Sequence, residues 1–63
     1  MQAFEVEIDG QVHRATWQAG AYDRLTVDSA FGSTYAYRDG RPPQALAESL
    51  LRQLVRRAER MVG

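Results

Sequence analysis

Residues 4–17 read FEVEIDGQVHRATW, and the pair Asp9-Gly10 at their centre decides the fold. Apolar and polar side chains alternate on both sides of that pair, the period of a half-buried β-strand. Asp-Gly between two alternating runs signals a tight hairpin, because a type I′ turn needs positive φ at both central positions. A two-residue turn sets Ile8 opposite Gln11, Val6 opposite His13, Glu5 opposite Arg14 and Phe4 opposite Ala15. One face then holds Phe4, Val6, Ile8, His13, Ala15 and Trp17. The other holds Glu5, Glu7, Val12, Arg14 and Thr16. Sliding the turn by one residue would expose Trp17 and bury Val12. The first register is expected, since it buries the indole and pairs Glu5 with Arg14.

Outward from this hairpin, QAGAYD (18–23) is a connector of small residues, and RLTVDSAFGSTYAYR (24–38) is a second hairpin around Gly32. A three-residue turn, Phe31-Gly32-Ser33, places Leu25, Val27, Ser29, Tyr35 and Tyr37 on one face. That is the amphipathic arrangement expected of a sheet covered on one side. It makes Tyr35 and Tyr37 core residues; another register would turn both rings outward as stacking residues. The sequence DGRPP (39–43) ends the sheet, because proline cannot continue a strand and suits the first turn of a helix.

From about Pro43 to Val62 the apolar spacing is helical. The apolar set covers about 180° of the helix, wider than the stripe of somewhat over 100° that a sheet requires. Leu50, Leu54, Ala58 and Met61 are expected to face the sheet. Leu51, Val55 and Val62 then form a surplus flank, which suggests docking of a second copy or another protein, the alternative being a monomer whose helix sinks deeply against a curved sheet. Arg52, Arg56 and Arg60 fall in an i, i+4, i+8 row on the opposite side, with Arg57 beside them. Glu48 can pair with Arg52 one turn away. The expected architecture is α+β over residues 1–63: a four-stranded antiparallel meander of two hairpins, with one long C-terminal helix on one face.

The bulk composition narrows the chemistry. Sixty-three residues make a small domain with a thin stability margin. The chain has no cysteine and one histidine, so disulfides are excluded and a zinc cage is not expected. Packing or self-association must supply the stability instead. Formal net charge is zero, so nothing global draws the chain to nucleic acid or an anionic membrane. The halves differ: residues 1–40 hold six carboxylates against three arginines, and residues 41–63 hold five arginines against two glutamates. All eight cations are arginine; with abundant alanine, this indicates a GC-rich bacterial genome. The N-terminal MQAFEVEIDG lacks the basic start and apolar core of a signal peptide. No run approaches the roughly 20 apolar residues that span a bilayer. A cytoplasmic location is the resulting expectation.

No motif for catalysis is present. His13 could act as a base with Asp9 or Asp23 and with Ser29 as nucleophile, but no spacing places those groups together. A half-buried strand histidine explains His13 more simply. Glycines 10, 20, 32 and 40 belong to turns and match no phosphate-binding loop. No cofactor or metal is expected.

Two functions of different class remain. The first is a small, non-enzymatic bacterial interaction or regulatory module. It binds a protein partner, self-associates, and uses Leu51, Val55, Val62, Tyr22 or Phe31, or the open sheet face. Exposed loop aromatics such as Tyr22 and Phe31 are suitable anchors. The second is a nucleic-acid-binding accessory protein that lays Arg52, Arg56, Arg57 and Arg60 along a phosphate backbone, with salt-sensitive and non-specific affinity. The expected open face, with Glu5, Glu7 and Asp28 against Arg14 and Arg38, does not suit phosphate. The β-β-β-β-α layout is too general to carry a function by itself.

Overall fold

The computed structural model describes residues 1–62, with side chains through Arg60. Four strands, β1 (Gln2–Ile8), β2 (Gln11–Ala19), β3 (Arg24–Ser29) and β4 (Gly32–Tyr37), form an antiparallel sheet in the order of the chain. A helix, α1 (Pro43–Val62), packs on one face against β1, β3 and β4.

The first hairpin has the expected register, with Phe4 opposite Ala15, Glu5 opposite Arg14 and Val6 opposite His13. Asp9 and Gly10 carry φ of 51° and 82°, the left-handed pair that a type I′ turn demands. Phe4, Val6 and Ala15 are buried, and Trp17 is half-buried against the same core. The Trp17 indole Nε1 donates to Gln44 Oε1 over 3.3 Å, tying β2 to the first turn of α1. This gives the polar tip of a core tryptophan its partner.

The second hairpin departs from the expected register. Its turn has two residues, Ala30 and Phe31, and Ser29 pairs with Gly32. Val27 therefore faces Thr34, and Leu25 faces Ala36. Gly32 takes its positive φ, 121°, directly after the turn and not inside it. Ser29 clasps the turn: its Oγ accepts from the Phe31 N–H and donates to the Gly32 carbonyl, each at 3.1 Å. The serine hydroxyl thereby gives one backbone donor and one backbone acceptor of the turn a local partner. Packing favours the same register. Thr34 and Ala36 are both smaller than the tyrosines that alternate with them, and on the core face they let α1 approach the sheet. Ala36 packs partly buried against the core. Two tyrosines there would have filled the space the helix occupies. Tyr35 and Tyr37 stand on the open face instead, 58% and 54% exposed.

The helix corrects a second expectation. Leu51 is 0% and Val55 2% exposed, so neither belongs to a free flank. Leu46, Leu50 and Leu54 are buried in the row beside them. Two adjacent apolar rows are used because the helix reaches from β1 to β4 across the sheet, which needs a broader buried stripe than contact with one or two strands. The side chain of Val62, third member of the expected flank, lies outside the described side chains. Among the described residues every fully buried side chain is apolar. Among the described residues no helix is long and apolar enough to cross a membrane.

Candidate functional site

Strand alternation makes the open face of the sheet. Glu5 and Glu7 stand on it from β1, Arg14 and Thr16 from β2, Arg24 and Asp28 from β3, and Tyr35 and Tyr37 from β4, by the observed registers. No element covers these side chains among the described residues.

At the β3–β4 side of this face three residues form a cluster. The Tyr35 and Tyr37 rings meet edge to face, with centroids 6.2 Å apart and planes at 87°. That geometry sets the positive edge of one ring on the negative face of the other. The Arg24 guanidinium lies over the Tyr35 ring, 5.5 Å from its centroid, a cation–π distance. These contacts limit the side-chain freedom of three large groups that remain accessible. Restricted aromatic and arginine side chains lose little entropy on binding, and these residue types are enriched among binding hot spots.

Toward β1 the same face changes character. A shallow depression of about 510 Å³ is lined by Glu5, Arg14, Thr16 and Asp28, with the Glu5–Arg14 ion pair at 3.2 Å along one side. Asp28 is engaged by the Ser33 hydroxyl. The whole face carries Glu5, Glu7 and Asp28 against Arg14 and Arg24, so it is mixed in sign, with exposed apolar surface at the tyrosines and at Val12.

Tyr22 is 92% exposed in the short 3-10 turn that leads into β3. It holds φ 59° and is followed by Asp23 at 63°. Two successive non-glycine residues in the left-handed region are costly. Asp23 is held there by Arg38, whose Nη1 lies 3.6 Å from its carboxylate and whose N–H donates to its carbonyl. Phe31 is 42% exposed, with its ring edge-on to His13 at 5.3 Å and 66°. It partly shields the imidazole at the far end of the sheet.

The arginines Arg52, Arg56, Arg57 and Arg60 are exposed along α1. Arg56, Arg57 and Arg60, with Gln53, line a shallow depression of about 260 Å³. No ion pair engages them among the described residues. The expected Glu48–Arg52 pair is absent there too; Glu48 accepts from Gln44 Nε2 at 3.1 Å instead.

The groups of the conceivable catalytic set are each occupied structurally. Ser29 closes the hairpin, His13 packs on Phe31, Asp23 holds Arg38, and Asp9 makes the first turn. Among the described residues no three histidine, aspartate or glutamate side chains are grouped to hold a metal. Sequence reasoning missed Arg24 as a site residue and assigned Tyr35 and Tyr37 to the core. The available signal was the small–large alternation Thr34-Tyr35-Ala36-Tyr37 beside a helix that needs close approach. No protein-family model, curated protein or solved structure matches the chain.

Proposed function

We propose that this chain is a non-catalytic protein-interaction module whose partner docks on the open sheet face at Tyr35, Tyr37 and Arg24. The observation that carries the reading is the exposed edge-to-face tyrosine pair with an arginine stacked on it. The mixed charge of the face favours a protein over a polyanion, because Glu5, Glu7 and Asp28 oppose phosphate. A fitting partner offers apolar side chains to the rings and a carboxylate to Arg24.

Affinity capture from source cells tests this with three forms of the protein. The Tyr35→Ser/Tyr37→Ser variant is expected to lose the captured protein, while Arg52→Gln/Arg56→Gln/Arg60→Gln keeps it. Undiminished capture by the tyrosine variant overturns the reading.

The arginine row on α1, which no ion pair engages among the described residues, favours a second reading, non-specific nucleic-acid binding. It predicts affinity for duplex DNA that falls steeply with salt and disappears in the triple arginine variant. Absence of binding at low salt excludes it.

A further inference from the structure

We propose that two copies of this chain associate through the outer edge of β4, antiparallel, to make one continuous eight-stranded sheet. The inference rests on the β4 backbone and not on the partner assigned to the tyrosine face.

The bond from the Arg38 N–H to the Asp23 carbonyl, 2.9 Å, makes residues 23 and 38 a hydrogen-bonded pair. Such pairs alternate along an antiparallel ladder. In the observed register the next ones are Leu25–Ala36, Val27–Thr34 and Ser29–Gly32. The N–H and C=O groups of Ser33, Tyr35 and Tyr37 therefore point away from β3, to the free edge. Arg41 confirms this direction, since its Nη2 reaches the Tyr37 carbonyl at 2.9 Å. Nothing among the described residues meets the outward backbone groups of Ser33 and Tyr35.

The two edges of the sheet are treated differently. β1 carries Glu5 and Glu7, whose side chains stand beside its outer backbone groups. Charge on an edge strand opposes pairing with another copy of itself. The β4 sequence, GSTYAY, has no charge, no proline and three β-favouring residues, Thr34, Tyr35 and Tyr37. It is the unprotected edge.

Self-complementarity selects a second copy as the occupant. A twofold axis at Thr34 sets Ser33 against the partner's Tyr35 and forms both hydrogen-bonded rings between them. The Tyr37 carbonyl stays with Arg41. Antiparallel pairing also turns the Asp28 end of one copy toward the end where the partner subunit carries Arg24, Arg38 and Arg41 against Asp23 and Asp39, a net positive corner. The contact is isologous, so it closes at two chains. The remaining free edges are the β1 strands with their glutamates.

The test is solution mass by sedimentation over micromolar to millimolar concentrations, for the wild type and for a synthetic chain N-methylated at the Tyr35 backbone nitrogen. The monomer fold does not use that proton. The wild type is expected to pass from monomer to dimer, and the N-methyl chain to dimerise at least about tenfold more weakly with unchanged circular dichroism. Amide exchange at Ser33 and Tyr35 in the wild type, slow when concentrated and fast on dilution, reads the same bonds without altering the chain. A wild type that stays monomeric throughout, or exchange at these amides that ignores concentration, overturns the proposal. Tyr35→Ser/Tyr37→Ser keeps the backbone donors, so loss of the captured partner with retained dimer mass separates this inference from the docking reading.

Discussion

Tyr35 and Tyr37 occupy alternate positions of β4 with ring centroids 6.2 Å apart, edge to face, on the side of the sheet that α1 does not cover. Their placement follows from a single backbone feature, the two-residue turn at Ala30-Phe31. The functional reading depends on this placement, and several measurable consequences come from it.

Tyr35→Ser and Tyr37→Ser should each lower stability by about 1 kcal/mol or less, since they remove β-propensity and an exposed contact but no core volume. Leu25→Ala, at a residue with 0% exposure on the opposite face, should cost about 2–5 kcal/mol. Urea denaturation of the three variants checks the contrast. Equal losses would mean that the rings are packed inside.

Leu51→Ala should behave as a core deletion and cost about 2–5 kcal/mol, enough to unfold a chain of this size in mild denaturant. A residue on a free flank would cost a few tenths. Thermal unfolding at dilute concentration, where self-association contributes nothing, distinguishes the two.

Tyr22→Gly should stabilise the fold by about 0.5–1 kcal/mol. The left-handed backbone of Tyr22 costs about 1–2 kcal/mol, offset in part by the entropy glycine adds to the unfolded chain. A stabilising loss of a large exposed aromatic would indicate that the tyrosine is kept for contact with a partner. A destabilised variant would show that the ring packs on the fold.

Gly32→Ala should cost about 1–3 kcal/mol, because φ of 121° is nearly closed to other residues. A β-carbon built at Gly32 has no heavy atom within 4 Å. The loss is therefore conformational, and no compensating substitution of a neighbour should restore it. Denaturation of the single variant and of Gly32→Ala/Phe31→Ala checks this.

The first hairpin and the helix were legible in the sequence because each carries a redundant signal. Asp9-Gly10 fixes a turn type, the alternation on both sides agrees with it, and Glu5 meets Arg14 as expected. Pro43 and the apolar spacing fix the helix as Pro43–Val62. The second hairpin has no such redundancy. Glycine at position 32 is compatible with the centre of a turn or with the residue after it, and alternation in β4 fits two registers. Tertiary packing decides: α1 needs small residues beneath it, and Thr34 and Ala36 supply them. The width of the helix's apolar stripe misled for a related reason. It measures how much sheet the helix spans, and a sheet contacted from β1 to β4 hides Leu51 and Val55. The exposed arginine row needed no tertiary knowledge, since helical period alone places it opposite the apolar rows.

The measurement that bears most directly on the account is the cross-strand Hα–Hα nuclear Overhauser effect within the second hairpin. Non-hydrogen-bonded antiparallel partners bring these protons close. Strong effects are expected between Thr26 and Tyr35 and between Arg24 and Tyr37, with both tyrosine rings open to solvent. Cross-strand effects that pair Ser29 with Tyr35 and Val27 with Tyr37 would contradict that pairing. They would turn the rings into the core and remove the proposed docking surface.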